Sequence, residues 1–279
     1  MFKIVAKKEL NSTVTMMDIF APLVAKKAEA GQFIILRVDG DGERIPLTIA
    51  GCDRVAGTVR IIFQIVGATT MLLNNKNAGE YIEDFVGPLG CATLTAGLKK
   101  VCIIGGGVGC AIALPIAQKL HEEGAEVHSI IGFRNKDLII LENEFRDCSD
   151  KLTVMTDDGS NGNKGVVTLP LKEAIQNNEN YDKVFAIGPL IMMKFVAETT
   201  KPFNIPTTVS MNPIMIDGTG MCGGCRLTVG GETKFACIDG PDFNGFEVDF
   251  DEAISRSQIY KDFEKREMEN CNLFKLEVQ

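Results

Sequence analysis

Histidine is scarce, with two in 279 residues. His121 falls in an expected helix and His128 in an expected strand. Neither has a serine or cysteine placed to pair with it, so no hydrolytic triad can be assembled. Basic runs are missing too. Lys and Arg number 29 against 37 Asp and Glu, and the net charge of −8 argues against a nucleic-acid partner. No apolar stretch approaches the roughly 20 residues that cross a bilayer. Met1 to Glu9 lack the apolar region of a secretory signal. The expectation is therefore a cytoplasmic protein outside the membrane. Without a secretory signal, nine cysteines do not read as a disulfide framework. Cys52, Cys91, Cys102, Cys110 and Cys148 are scattered, and most are expected to be small buried side chains. Cys271, alone in the tail, reads as structural.

The chain is 45% apolar and 24% charged, with room for two or more domains. Residues 1–97 carry β-rich runs such as Phe33–Val38 and Thr58–Val66, punctuated by Gly-rich turns. They predict a small antiparallel barrel, with one helix near Thr69–Leu73. The pattern changes over 98–210. A continuous apolar strand, Lys100–Gly105, leads through glycines into a helix over Ala111–Glu123 and a strand at Val127–Phe133. That is a βαβ unit. Strands at Leu152–Thr156, Lys183–Ile187 and Thr207–Ser210, with helices at Leu169–Asn177 and Met192–Thr200, complete an expected open parallel sheet. Residues 211–249 are Gly- and Cys-rich with little room for a core, so a metal or cluster is expected to staple them. Residues 250–279 form a tail in which Asp251–Glu269 reads as a charged amphipathic helix, solvated or docked on a partner.

Asp217, Cys222, Cys225 and Cys237 stand at the spacing D-x4-C-x2-C-x11-C. A ferredoxin-type [2Fe–2S] site uses C-x4-C-x2-C and a distant fourth Cys. Here a carboxylate holds the first position. The glycines at 218, 220, 223 and 224 free the backbone to wrap a cluster and aim N–H groups at sulfur. Two alternatives stay open. The residues could hold zinc, or Asp217 could only cap the loop, with the fourth ligand elsewhere, Cys271 being the candidate.

Gly105, Gly106, Gly107 and Gly109 close a strand and open a helix, where backbone N–H groups and the helix dipole favour a pyrophosphate. The spacing is G-G-G-x-G, not G-x-G-x-x-G. No acidic residue closes the next strand, so the rule that reads NAD against NADP from that acid does not apply. Arg134 is placed for a nucleotide phosphate or for solvent. Asp158, after the following strand, is placed to face a ligand or to make an Asx turn. In the barrel, Arg44-Ile-Pro46-Leu47-Thr48 suits a flavin: a guanidinium for the pyrophosphate, and a backbone and hydroxyl for the ring edge.

Together, the barrel with R-x-P-L-T, the Gly-rich βαβ unit and the Cys loop resemble the ferredoxin–NADP⁺ reductase superfamily. More narrowly they resemble its cluster-bearing branch. That branch includes the electron-transfer subunit of NAD-dependent dihydroorotate dehydrogenase and the small subunit of the bifurcating NADH-dependent reduced ferredoxin:NADP⁺ oxidoreductase. The likeness runs to about residue 245 and includes Gln64–Thr70, Gly87–Gly90, Ala186–Pro189 and Cys237–Phe243. It implies that Arg44, Pro46, Leu47 and Thr48 line FAD, and that Gln64, Val66, Gly67 and Thr70 hold its diphosphate and adenine half. It implies NAD(H) on Gly105–Gly109 with Asp158, Gly188 and Pro189 nearby. Asp217, Cys222, Cys225 and Cys237 would ligate the [2Fe–2S] cluster. Ile187 stands where many reductases of the superfamily have Cys, so no catalytic cysteine is assigned. Asp217 matches the bifurcating branch, since dihydroorotate dehydrogenase subunits have Cys there. The implied activity is hydride exchange between NAD(H) and FAD, with single electrons passed through the cluster. The implied partner is a larger iron–sulfur flavoprotein subunit, with ferredoxin reached indirectly.

Overall fold

The computed structural model describes residues 1–259. The N-terminal sheet has seven strands: β1 (Phe2–Asn11), β2 (Val14–Phe20), β3 (Phe33–Arg37), β4 (Arg44–Asp53), β5 (Thr58–Gln64), β6 (Tyr81–Ile82) and β7 (Asp84–Leu89). A short α1 (Pro22–Ala25) and α2 (Ala68–Asn74) interrupt it. Their order is β6-β1-β2-β5-β4-β3-β7, antiparallel throughout. Its two edges, β6 and β7, are separated in the chain by Glu83 alone. That link draws the edges together and curls the sheet into a half-barrel.

Strand alternation sorts β3 onto two faces. Ile34 and Leu36 join Ile4, Met17, Ile61 and Phe63 inside the barrel. Phe33 and Ile35 point outward and share a core with the rest of the chain. The strand expected to reach Val66 stops at Gln64, where Ile65–Gly67 turn into α2. The Thr70 hydroxyl forces that turn by accepting from Val66 N and Gly67 N, both at 3.0 Å.

The second sheet contains β8 (Lys100–Gly106), β9 (Glu126–Phe133), β10 (Lys151–Thr156), β11 (Lys183–Ile187), β12 (Thr207–Ser210) and β15 (Asp242–Asn244), in the order β10-β9-β8-β11-β12-β15. Helices α3 (Cys110–Glu122), α4 (Glu142–Asp147), α5 (Thr168–Gln176) and α6 (Leu190–Thr200) connect the first five strands, which are parallel. The strands are apolar along their length because helices bury both faces. The expectation of a purely parallel sheet needs one correction. β15 returns from the Cys-rich segment and pairs antiparallel with β12. Part of the 211–249 segment is therefore the edge of the nucleotide sheet. Between them, β13 (Arg226–Val229) and β14 (Glu232–Phe235) form a hairpin. Its turn, Gly230-Gly231, has positive φ at both residues, as a two-residue hairpin of this type needs.

The helix expected from Asp251 is seen as α7 (Phe250–Arg256), N-capped by Asp249, which accepts from Glu252 N at 2.9 Å. The expected helix thus stops short, since residues 257–259 are already a turn; its remainder, from residue 260, and Cys271 lie outside the described residues. Among the described residues, no helix is long and apolar enough to cross a membrane.

One carboxyl group ties the parts together. Thr93, in the link between the sheets, donates to Asp242 Oδ2 at 2.6 Å. Asp242 sits opposite Ser210 across β12 and β15. Loss of water raises its pKa, and the hydrogen bonds from Thr93 and Ser210 offset this only in part. A raised native pKa gives stability that is full below the unfolded value of about 3.9 and is lost as pH climbs through the native value. Asp242→Asn keeps an acceptor for Thr93 and removes the charge. Melting temperatures of the two chains should coincide near pH 4 and separate in the variant's favour at pH 7 to 8. A difference that does not change with pH would exclude this account.

Candidate cofactor and cluster sites

The glycine run and the Gly188-Pro189 turn meet. Gly105 pairs with Ile187 across β8 and β11. A methyl group on Gly109 would stand 2.5 Å from Ile187 O and 2.8 Å from Gly188 Cα. One on Gly106 would reach Met192 Sδ at 2.5 Å and Pro189 Cδ at 3.1 Å. Two backbone turns thus touch with no side chain between them, and α3 opens directly from that seam. Arg134, exposed, directly follows β9, and its carbonyl accepts from Asp158 N at 3.3 Å. All the sequence-predicted dinucleotide residues therefore lie along the carboxyl edge of β8–β11, where open α/β sheets bind ligands. The Asp158 carboxylate accepts from Ser160 N at 2.9 Å, and the Ser160 hydroxyl first and that N–H second hold its pKa below the usual range. That is the Asx turn left open by the sequence.

The flavin motif lies on β4, paired with β3. Phe33 faces Thr48, Ile35 faces Pro46 and Arg37 faces Arg44. Arg44, Pro46 and Thr48 thus share the outer face with Phe33 and Ile35. Leu47 turns inward and packs on the barrel core, so only its backbone is offered outward. Thr69 donates to Glu43 Oε2 at 3.2 Å, joining the α2 turn to the start of β4. Gln64 and Val66 are exposed beside them. Thr70 spends its hydroxyl on the turn, donating to Gly67 O at 2.9 Å. The two stretches assigned to one flavin are adjacent.

In the Cys-rich loop, Asp217 accepts from Thr219 N at 2.8 Å on one oxygen and Cys222 N at 3.0 Å on the other. Those bonds lower its pKa, Thr219 first. Cys222 is exposed, while Cys225 and Cys237 are buried. Burial, then the neighbouring Cys225 thiol, pushes the Cys237 thiol up to about 12. The Cys222 N–H ties that residue to Asp217, and the Cys225 and Cys237 thiols are neighbours. Two ligands per iron suit a dinuclear cluster better than one zinc, which needs four converging ligands. Gly218, at φ +72°, seats the loop on the barrel: a methyl group there would be 2.8 Å from Leu89 Cδ1 and 3.0 Å from Ile35 Cγ1. Ile35 is the residue opposite Pro46, so the cluster loop and the flavin strand share one face of β3.

His128 is bonded to Tyr181 Oη and Glu126 Oε1, both at 2.9 Å, at the far edge of the sheet from the glycine seam. Lys100 bridges Glu126 and Glu179 there and offsets one of their two negative charges. Cys102, Cys110 and Cys148 are buried as expected, but Cys52 and Cys91 are exposed. Cys91 holds the Gly87–Gly90 turn against the cluster segment through Gly240 O at 2.7 Å. Two residues the sequence reading did not select, Arg226 and Arg256, reach the carbonyls of Gly223 and Gly224. Arg226 adjoins Cys225 and could have been noticed. Arg256 had no sequence signal.

Residues 212–249 match the family described as the iron–sulfur cluster binding domain of dihydroorotate dehydrogenase B. A dihydroorotate dehydrogenase B (NAD(+)) electron transfer subunit homolog of Thermotoga maritima is 45% identical, covering 94% of this chain and 93% of its own. The electron transfer subunit of Clostridium perfringens is 34% identical over 88% of this chain and 98% of its own. A solved chain from the NADH-dependent reduced ferredoxin-NADP oxidoreductase, reported for flavin-based electron bifurcation, superposes with a TM-score of 0.91 at 44% identity, covering 97% of both chains.

The glycine seam separates packing from ligand space. Gly109→Ala presses on backbone and should cost about 1–3 kcal/mol in urea unfolding. Gly106→Ala presses on the flexible end of Met192 and more lightly on the Pro189 ring, and should cost less stability than Gly109→Ala while weakening NADH binding, read by titration. Equal destabilisation by both would contradict the assignment.

Proposed function

The chain belongs to the family of dihydroorotate dehydrogenase B electron-transfer subunits, and from that membership we propose that it is the small, NAD(H)-handling subunit of an NADH-dependent reduced ferredoxin:NADP⁺ oxidoreductase. The observation that carries this is the whole-length likeness to a chain of that enzyme. Asp217 at the first ligand position supports it. As a flavin and iron–sulfur oxidoreductase subunit, the chain has to align three groups rather than donate an acid or base.

The glycine seam, with Arg134, Asp158, Gly188 and Pro189, holds NAD(H). Arg44, Pro46, Thr48 and the Leu47 backbone hold the ring side of FAD, and Gln64, Val66, Gly67 and Thr70 its diphosphate and adenine half. Asp217, Cys222, Cys225 and Cys237 hold a [2Fe–2S] cluster. When bound, the flavin exchanges a hydride with the nicotinamide and releases electrons singly, and the cluster carries one at a time. Cys225 and Cys237 are shielded from water, whereas Cys222 faces out. Around it, Ile214, Ile216, Met221 and Ile238 are exposed, Met221 at 88%. This rim is where the larger iron–sulfur flavoprotein subunit would cover the cluster and receive or deliver electrons.

The second reading is the electron-transfer subunit of a dihydroorotate dehydrogenase, favoured by the cluster-domain match and the names of the relatives. Anaerobic native purification followed by mass spectrometry separates the two. A co-purifying subunit with its own FAD and iron–sulfur clusters supports the transhydrogenase; an FMN-binding dihydroorotate dehydrogenase chain overturns it. Within either complex, Asp217→Cys should change the EPR signal of the cluster and leave NADH-to-flavin exchange intact. Cluster loss from Cys222→Ser but not from Asp217→Ala would remove Asp217 from the ligand set.

A further inference from the structure

The bridge between Cys222 and Cys225 is two glycines, and an arginine reaches the carbonyl of each. Arg226 Nη1 donates to Gly223 O at 3.2 Å. Gly224 N, on the other end of that same peptide unit, points at Cys222 Sγ at 3.5 Å. The order is therefore guanidinium, carbonyl, N–H, sulfur. Arg256 Nη2 donates to Gly224 O at 3.4 Å, and so grips the next peptide unit, which carries the N–H of Cys225. A charged donor on a carbonyl polarises the peptide and strengthens the bond its N–H makes on the far side.

We propose that Arg256, assisted by Arg226, is a positioning residue that raises the reduction potential of the cluster held by this loop. The inference rests on the [2Fe–2S] reading above. A cluster held by three thiolates and a carboxylate is anionic, and it gains one further negative charge when it takes an electron. A cation fixed nearby stabilises the reduced form more than the oxidised one. Net charge otherwise works against reduction here, since the chain carries −8. Arg256 is half-buried and Arg226 exposed, so water and salt screen Arg226 more.

Arg256 lies outside the matched cluster domain, on α7. That helix has its own attachments. Glu252, one turn earlier on the same face, accepts from Thr228 N at 3.0 Å. Asp251 pairs with Lys194 of α6 at 2.7 Å, and Phe250 is buried. Removing the Arg256 charge should therefore leave α7 in place.

The test is an EPR-monitored redox titration of the anaerobically purified full chain, with its partner if it has one, using dithionite and mediators. Neither NADH turnover nor the partner's activity enters the measurement. Arg256→Gln should keep the cluster and lower its one-electron equilibrium constant about tenfold, which is 59 mV. Arg256→Lys should fall between the two, and Arg226→Gln should give a smaller drop. Glu252→Gln removes the opposite charge from the same helix face and should move the midpoint up. A purely structural brace would shift Arg256→Gln and Glu252→Gln in the same direction or change only cluster content, and either result overturns the proposal. So does an unchanged midpoint in Arg256→Gln. If that variant loses the cluster, Arg256→Lys and Glu252→Gln decide by the same opposite signs. A wild-type chain with no iron–sulfur signal overturns the cluster reading and this proposal together.

Discussion

The contact between Gly218 and the outer face of the barrel is the constraint on which the rest depends. The loop carrying Asp217 and Cys222 reaches Ile35 and Leu89 only because position 218 has no side chain and can hold a positive φ. Ile35 lies opposite Pro46, so whatever the flavin strand binds lies one residue pair away from the loop. The buried residues agree: Phe33 and Ile35 share one core with Met211, Met215, Cys225, Leu227 and Cys237. The cluster segment is therefore packed on the barrel as part of its wall, and a small segment with little core of its own gains support from both neighbours.

The same device recurs at the second junction. Gly109 and Gly188 bring two turns of the nucleotide sheet within backbone contact, and β15 extends the segment after Cys237 along the sheet's edge. Both junctions are steric. They fix where groups sit and supply no titratable side chain at the point of closest approach. This fits chemistry that moves hydrides and electrons, in which alignment and electrostatics matter and a general acid or base does not. The Lys100–Glu126–Glu179–His128 network lies at the opposite edge of the nucleotide sheet, and the charged residues at the glycine edge, Arg134 and Asp158, are exposed.

Much of this was legible because it depends on local pattern. Apolar runs and glycines marked β8, α3 and β9 to within a residue or two, since a buried parallel strand must be apolar on both faces. The D-x4-C-x2-C loop was visible because ligand spacing is a local property. What failed to show was non-local. β15 is three residues long and becomes a strand only by pairing with β12, which lies more than thirty residues earlier. The inward turn of Leu47 depends on the register between β3 and β4, which a motif cannot express. Arg256 is one charged residue on a helix full of them, and only the packing of α7 against β13 singles it out.

Asp217 shows why two sequence readings of one residue need not compete. Capping the loop and ligating iron looked like alternatives, but a carboxylate has two oxygens and about four acceptor positions. The N–H groups of Thr219 and Cys222 take one on each oxygen. Lone pairs remain on both, so the turn can persist with a metal bound. The two N–H bonds also keep the carboxylate ionised, with a lowered pKa, and fix its direction, much as outer partners orient a ligand in other metal sites. A cysteine at 217 would supply sulfur but would lose the second acceptor that ties Thr219 and Cys222 into one turn. The carboxylate is thus a ligand candidate and the organiser of the loop that presents the first thiolate. Two arginines, meanwhile, bring positive charge to the Gly-Gly bridge that follows that thiolate.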